Sequence, residues 1–148
     1  MSIKYIYVNK YRYFCEMGKN MVAWVDYKAE AKARGALALE LFVAISTPAK
    51  APLDVKASLP AHLAYQADLE RRGALAFAGP MSDETGDQML GMGLIIYRAE
   101  SLDAARSMAE NDPMHLSGAR AFVLRRWMIN EGSLSLSIGL STKHIVLT

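Results

Sequence analysis

The chain has a single cysteine, Cys15, among its 148 residues. No disulfide can close within it and no thiolate cluster can hold a metal, so the sequence points to a reducing compartment. Long apolar runs are missing too. No stretch reaches the ~20 residues that cross a bilayer, and MSIKYIYVNKYRYFCEMGKN at the start lacks the unbroken apolar core of a secretory signal. The expectation is a cytoplasmic protein with no membrane partner. Nor is there a basic stripe. The formal net charge is +2, and residues 1–20 hold Lys4, Lys10, Arg12 and Lys19 against Glu16, a local +3. That leaves 13 of the 17 basic and 14 of the 15 acidic residues in 21–148, a net of −1. Arg71-Arg72 and Arg125-Arg126 are short pairs without stacking aromatics, so no nucleic-acid partner is expected.

What is present is ordinary globular material, 52% hydrophobic and 22% charged, in a length that suits one core. In 1–20, Tyr5, Tyr7, Tyr11 and Tyr13 alternate as in a strand, and Met21 reads as an alternative start that would make 1–20 an extension. From Val22 to Arg34 the text is alanine-rich, Glu30 stands four residues before Arg34, and Gly35 is a natural stop: a first helix. ALELFVAIS, 38–46, alternates up to Thr47-Pro48 and reads as a strand with Leu39, Leu41, Val43 and Ile45 on one face. The run from Leu53 to Arg72 has Leu59, Leu63 and Leu69 at helical spacing, with Gly73 closing it. Pro60 must then sit near a first turn or at a kink.

ALAFAG, 74–79, is a short strand ended by Gly79-Pro80; SDETGDQ, 82–88, is a turn-rich connection; GMGLIIYR, 91–98, is a third strand in a hairpin with the second. SLDAARSMAEN, 101–111, opens on Ser101 as a candidate N-cap and reads as a helix. ARAFVLRRWMI, 119–129, is a fourth strand, and SLSLSIGL, 133–140, alternates again in the tail. After the first helix the order is strand, helix, strand, strand, helix, strand. This is an α+β, ferredoxin-like βαββαβ arrangement, two helices on one face of a four-stranded antiparallel sheet. The expected organisation is an N-terminal extension with one helix (1–37), a central domain (38–129) and a C-terminal tail (130–148). Apolar residues fall on both strand faces, Phe42, Ala44, Ile95, Tyr97, Val123 and Trp127 among them. The exposed face is expected to be covered by a second copy in a homodimer, or alternatively by the terminal segments.

The histidines are His62, His115 and His144. His62 lies on the long helix with Tyr65 three residues on and on the same side. Imidazole is the side chain best poised for proton transfer near neutral pH, though on a helix it also serves as a plain structural residue. Asp112, directly before Pro113, is a well-suited N-cap for a short helix. Asp112 and His115 have the spacing of half a metal site, but no second histidine pair or cysteine set completes one, and no metal is expected.

PAHLAYQADLERRGALAFAGPMSDETG, GLIIYRAESLDAARSMAENDPMHLSGA and AFVLRRWMI resemble the YciI-like family, also called the YCII-related domain. The shared features are a histidine early on the first core helix, Ala-Gly-Pro after the second strand and Asp-Pro after the second helix. The resemblance covers roughly residues 38–129 and implies a ferredoxin-like fold of the dimeric α/β-barrel type; no cofactor is expected. It implies that His62 and Asp112 are an active-site pair, with Asp112 fixing the tautomer of a histidine that moves a proton. Gly79 and Pro80 would form a wall beside a small-molecule ligand, Ser82 a donor just beyond, and Tyr65 a neighbour on the helix; each also has a plain structural reading. Three readings fit: a small lyase or isomerase-type enzyme, a non-catalytic module that holds a small ligand, and a purely structural dimer. The substrate and the roles of the two terminal segments are not legible.

Overall fold

The computed structural model describes residues 21–147, so the alternating tyrosines of the first twenty lie outside the described residues. The chain divides into two compact units, Leu39–Ile129 and a second from Met1–Ala38 with Asn130–Thr148. In the described part of the second unit, α1 (Trp24–Ala33) carries Asp26 in its first turn and Lys32 in its last, each complementing the helix dipole. Gly35 at φ +84° ends it. Leu37 N–H donates to the Asn130 carbonyl at 2.9 Å, and Asn130 Nδ2 donates to the Tyr27 hydroxyl at 3.0 Å. The tail forms a short hairpin, in which the three residues of β5, Leu136–Ile138, pair with β6, Ile145–Leu147. Only the centre of the alternating stretch 133–140 is therefore strand.

The larger unit contains β1 (Leu39–Pro48), α2 (Pro52–Arg71), β2 (Leu75–Pro80), β3 (Gly93–Tyr97), α3 (Leu102–Glu110), α4 (Pro113–Leu116) and β4 (Arg120–Ile129). The strands form one antiparallel sheet in the order β2-β3-β1-β4, the ferredoxin-like arrangement. Pro80 is tolerated because β2 is an edge strand. Register puts Phe42 opposite Tyr97, Ala44 opposite Ile95 and Leu124, and Ser46 opposite Phe122. These residues share the face on which the helices pack, with Leu69 of α2 and Ala105 and Ala109 of α3 completing the core. The two alanines, one turn apart, let α3 approach the sheet closely. Val43, Ile45, Val123 and Trp127 stand on the other face, where Val123 and Trp127 are exposed together with Phe77 of β2.

Pro52, and not Pro60, occupies the first position of α2, so Pro60 falls inside the helix and deprives the Lys56 carbonyl of its i+4 donor. Burial along α2 is uneven. Leu69 near its end is 0% exposed, whereas Leu59 and Leu63 are 40% and 55% exposed. The last turns of α2 close the core, and its middle, from Leu59 to Gln66, borders an opening above the end of the sheet.

Candidate active site

That opening is a cavity of about 320 Å³, lined by Leu59, His62, Leu63 and Gln66 of α2, by Ala78, Gly79 and Pro80 of β2, and by Met89, Gly91 and Met92 of the loop before β3. Ser46, Gly93, Leu94, Ile95, Met114 and Arg120 complete it. Antiparallel pairing gathers these residues: the end of β1 meets the starts of β3 and β4, since Ser46 pairs with Gly93 and Pro48 with Arg120. Glycine is required at 91, where φ is +81° and a Cβ would stand 2.7 Å from Cγ of the Pro48 ring. At Gly79 a Cβ would meet nothing within 4 Å.

Asp112 is 1% exposed, yet it is satisfied. Its Oδ1 caps α4 by accepting the Met114 N–H at 3.0 Å, and Pro113 follows as the first helical residue. His62 Nδ1 lies 2.9 Å from Oδ1 and 2.8 Å from Oδ2 of the same carboxylate. A carboxylate can only accept, so Nδ1 carries the hydrogen and Nε2 is the lone-pair nitrogen of the neutral ring. The His62 side chain keeps 15% exposure and borders the cavity. Cap and histidine partner are thus one side chain.

A second polar chain, not anticipated from the sequence, crosses the floor of the site. His115 Nδ1 is 2.7 Å from the Ala109 carbonyl and must donate to it, which makes Nε2 the acceptor for the Ser46 hydroxyl at 2.8 Å. Ser46 Oγ in turn accepts from Arg120 Nε at 2.8 Å. Arg120 Nη2 donates to the Ser46 carbonyl at 2.7 Å and to the Gly91 carbonyl. Burial, with the ring 4.7 Å from that of Phe122, lowers the His115 pKa below its usual value, against the opposing pull of the Ala109 carbonyl. Burial also lowers the Arg120 value, with the Asp112 carboxylate opposing.

Of the residues singled out in the sequence, His62, Gly79 and Pro80 line the cavity, and Asp112 reaches it through His62. Tyr65 and Ser82 do not line it. The Tyr65 hydroxyl donates to the Met108 carbonyl at 2.9 Å, tying α2 to α3, and burial first and Asp112 second raise its pKa. Ser82 donates to the Asp83 carbonyl within the exposed loop, whose turn Asp83 organises by accepting from Thr85, Gly86 and Gln88. His115 does not join Asp112 in a metal site, both its ring nitrogens being committed elsewhere. Among the described residues no group of three His, Cys, Asp or Glu side chains converges as metal ligands.

Sheet order, helix placement and a histidine–carboxylate pair beside a cavity define a ferredoxin-like α+β domain with a candidate small-molecule site. Residues 41–128 match the family model of the YCII-related domain, and the chain belongs to that family. Among solved structures, it is similar to the 5-chloro-2-hydroxyhydroquinone dehydrochlorinase of Burkholderia phenoliruptrix AC1100, solved with 2,5-dihydroxybenzoquinone. The identity is 27% over 59% of this chain and 92% of that one, with a TM-score of 0.44. No curated protein matches the chain. Among the described residues, no helix is long and apolar enough to cross a membrane.

Proposed function

We propose that the protein is a small, cofactor-independent enzyme of lyase or isomerase type, with His62 as general acid/base and Asp112 as its positioning residue. The observation that carries this reading is the 2.8 Å contact of His62 Nδ1 with a buried carboxylate, at the border of a cavity large enough for a small organic molecule. Asp112 holds the ring in one tautomer and one direction. His62 Nε2 then takes a proton from a substrate carbon or hydroxyl and returns it at another position or to a leaving group. Gly79 lets a ligand approach the backbone of β2, while Pro80 forms the adjoining wall. The functional unit is a cytoplasmic homodimer, the second copy covering the sheet face on which Phe77, Val123 and Trp127 are exposed.

The test is proton exchange, which reads the first proton transfer whatever step follows it. A panel of small enolisable ketones and hydroxylated aromatics is incubated with the protein in D2O, and loss of C–H signals is followed by NMR. The wild type accelerates exchange in at least one compound, and His62→Gln lowers that rate by about 10²–10⁴-fold with an unchanged circular dichroism spectrum. Exchange that survives His62→Gln, or no exchange with any compound, rejects the assignment. A module that only binds would keep its ligand affinity in His62→Gln and show no exchange.

A further inference from the structure

Among the described residues, Arg120 is the only arginine or lysine lining the cavity, and no aspartate or glutamate lines it. Among the same residues no carboxylate lies within ion-pair distance of its guanidinium. Its three acceptors, the Ser46 hydroxyl and the Ser46 and Gly91 carbonyls, are all neutral. They take the Nε hydrogen and those of Nη2, leaving the two of Nη1 without a partner among the described residues. Burial works against this half-buried permanent cation and only the Asp112 carboxylate, beyond ion-pair distance, favours it, so a counter-charge at its open N–H groups would stabilise it. Apart from His62 and Gln66, the remaining wall is largely apolar, with Leu59, Leu63, Met92, Leu94 and Met114.

We propose that Arg120 is the anion-anchoring residue of this cleft, and that its ligand is a small apolar or aromatic body carrying one oxyanion, a carboxylate or an ionised hydroxyl. The oxyanion accepts from Nη1, and the body lies against the leucines and methionines, whose thioethers suit an aromatic ring. Ser46 and the Gly91 carbonyl aim the guanidinium in advance, so binding requires little reorganisation. This assignment names a substrate class for the His62 site and rests on the reading that the cavity binds a substrate. It does not require that His62 be catalytic.

Isothermal titration of the full-length protein with benzoate and with its neutral isostere benzamide tests it. Benzoate binds about 10- to 100-fold tighter than benzamide, the range that one or two charge-assisted hydrogen bonds supply. Arg120→Met abolishes that preference by weakening benzoate alone. Arg120→Lys, which keeps the charge but not the fork, retains part of it and serves if the methionine variant fails to fold. Equal affinities in the wild type, no saturable benzoate binding at millimolar concentration, or a preference that persists in Arg120→Met (or undiminished in Arg120→Lys) each overturn the proposal. Retained benzoate preference in a protein that shows no proton exchange sinks the catalytic reading and leaves this one standing.

Discussion

Replacing Asp112 separates the two duties of its carboxylate, and the structure sets the size of each. Asp112→Ala removes the cap on the Met114 N–H, worth about 1 kcal/mol, and the charged hydrogen bond from His62, worth roughly 1.5–3 kcal/mol net. It also leaves His62 Nδ1 facing a void. The expected loss is about 3 kcal/mol, which for a chain of this length lowers Tm by roughly 10 °C. Asp112→Asn is a different perturbation. Asparagine caps as well as aspartate, and its amide oxygen still accepts one hydrogen, so only the charge is lost and about 1 kcal/mol should follow. Urea unfolding followed by circular dichroism gives both values. A double-mutant cycle of Asp112→Asn with His62→Ala should show a coupling of about 1 kcal/mol or more between positions fifty residues apart. The reasoning is refuted if Asp112→Ala and Asp112→Asn cost the same, or if the coupling is indistinguishable from zero.

Two further outcomes follow from the floor of the site. Because burial lowers the His115 pKa from 6.5 in the folded protein, the unfolded chain binds its proton first as pH falls. Stability should therefore decline as pH drops below about 6.5, and the decline should be shallower in His115→Gln, as measured by urea midpoints across that range. Gly91→Ala places a methyl against the Pro48 ring in a left-handed conformation, and should cost roughly 1–3 kcal/mol in thermal unfolding. An unchanged Tm there would mean that the loop can shift without disturbing the carbonyl that receives Arg120.

The sheet and helices are legible in the sequence because each is written in local periodicity and punctuation. Ser101 does accept the Ala104 N–H as an N-cap, and Asp112-Pro113 does open a helix. The half of the site read from single residues carries less far. Tyr65, three residues after His62, is rotated about 60° from it around the helix axis, enough to send its phenol to the Met108 carbonyl and not to the cavity. Ser82 stands beyond the end of β2, where nothing in the local text fixes a side chain's direction. Ser46, His115 and Arg120 are not legible as one network because their contacts span 69 and 74 residues, and only strand register brings them together. One hint is present: a serine on the apolar face of a strand needs a partner when buried. Pro60 reads as a first-turn residue or a kink, and since Pro52 already fills the first helical position, Pro60 falls inside the helix.

The two imidazoles of the site are locked in the same tautomer by unlike acceptors. His62 leans on a carboxylate and His115 on a peptide carbonyl. Each ring thereby keeps Nε2 as its lone-pair nitrogen, and that of His115 is taken by the Ser46 hydroxyl. Among the described residues, the imidazole lone pair left at the border of the cavity is therefore that of His62, so a ligand's hydrogen-bond donor meets one basic nitrogen and not two.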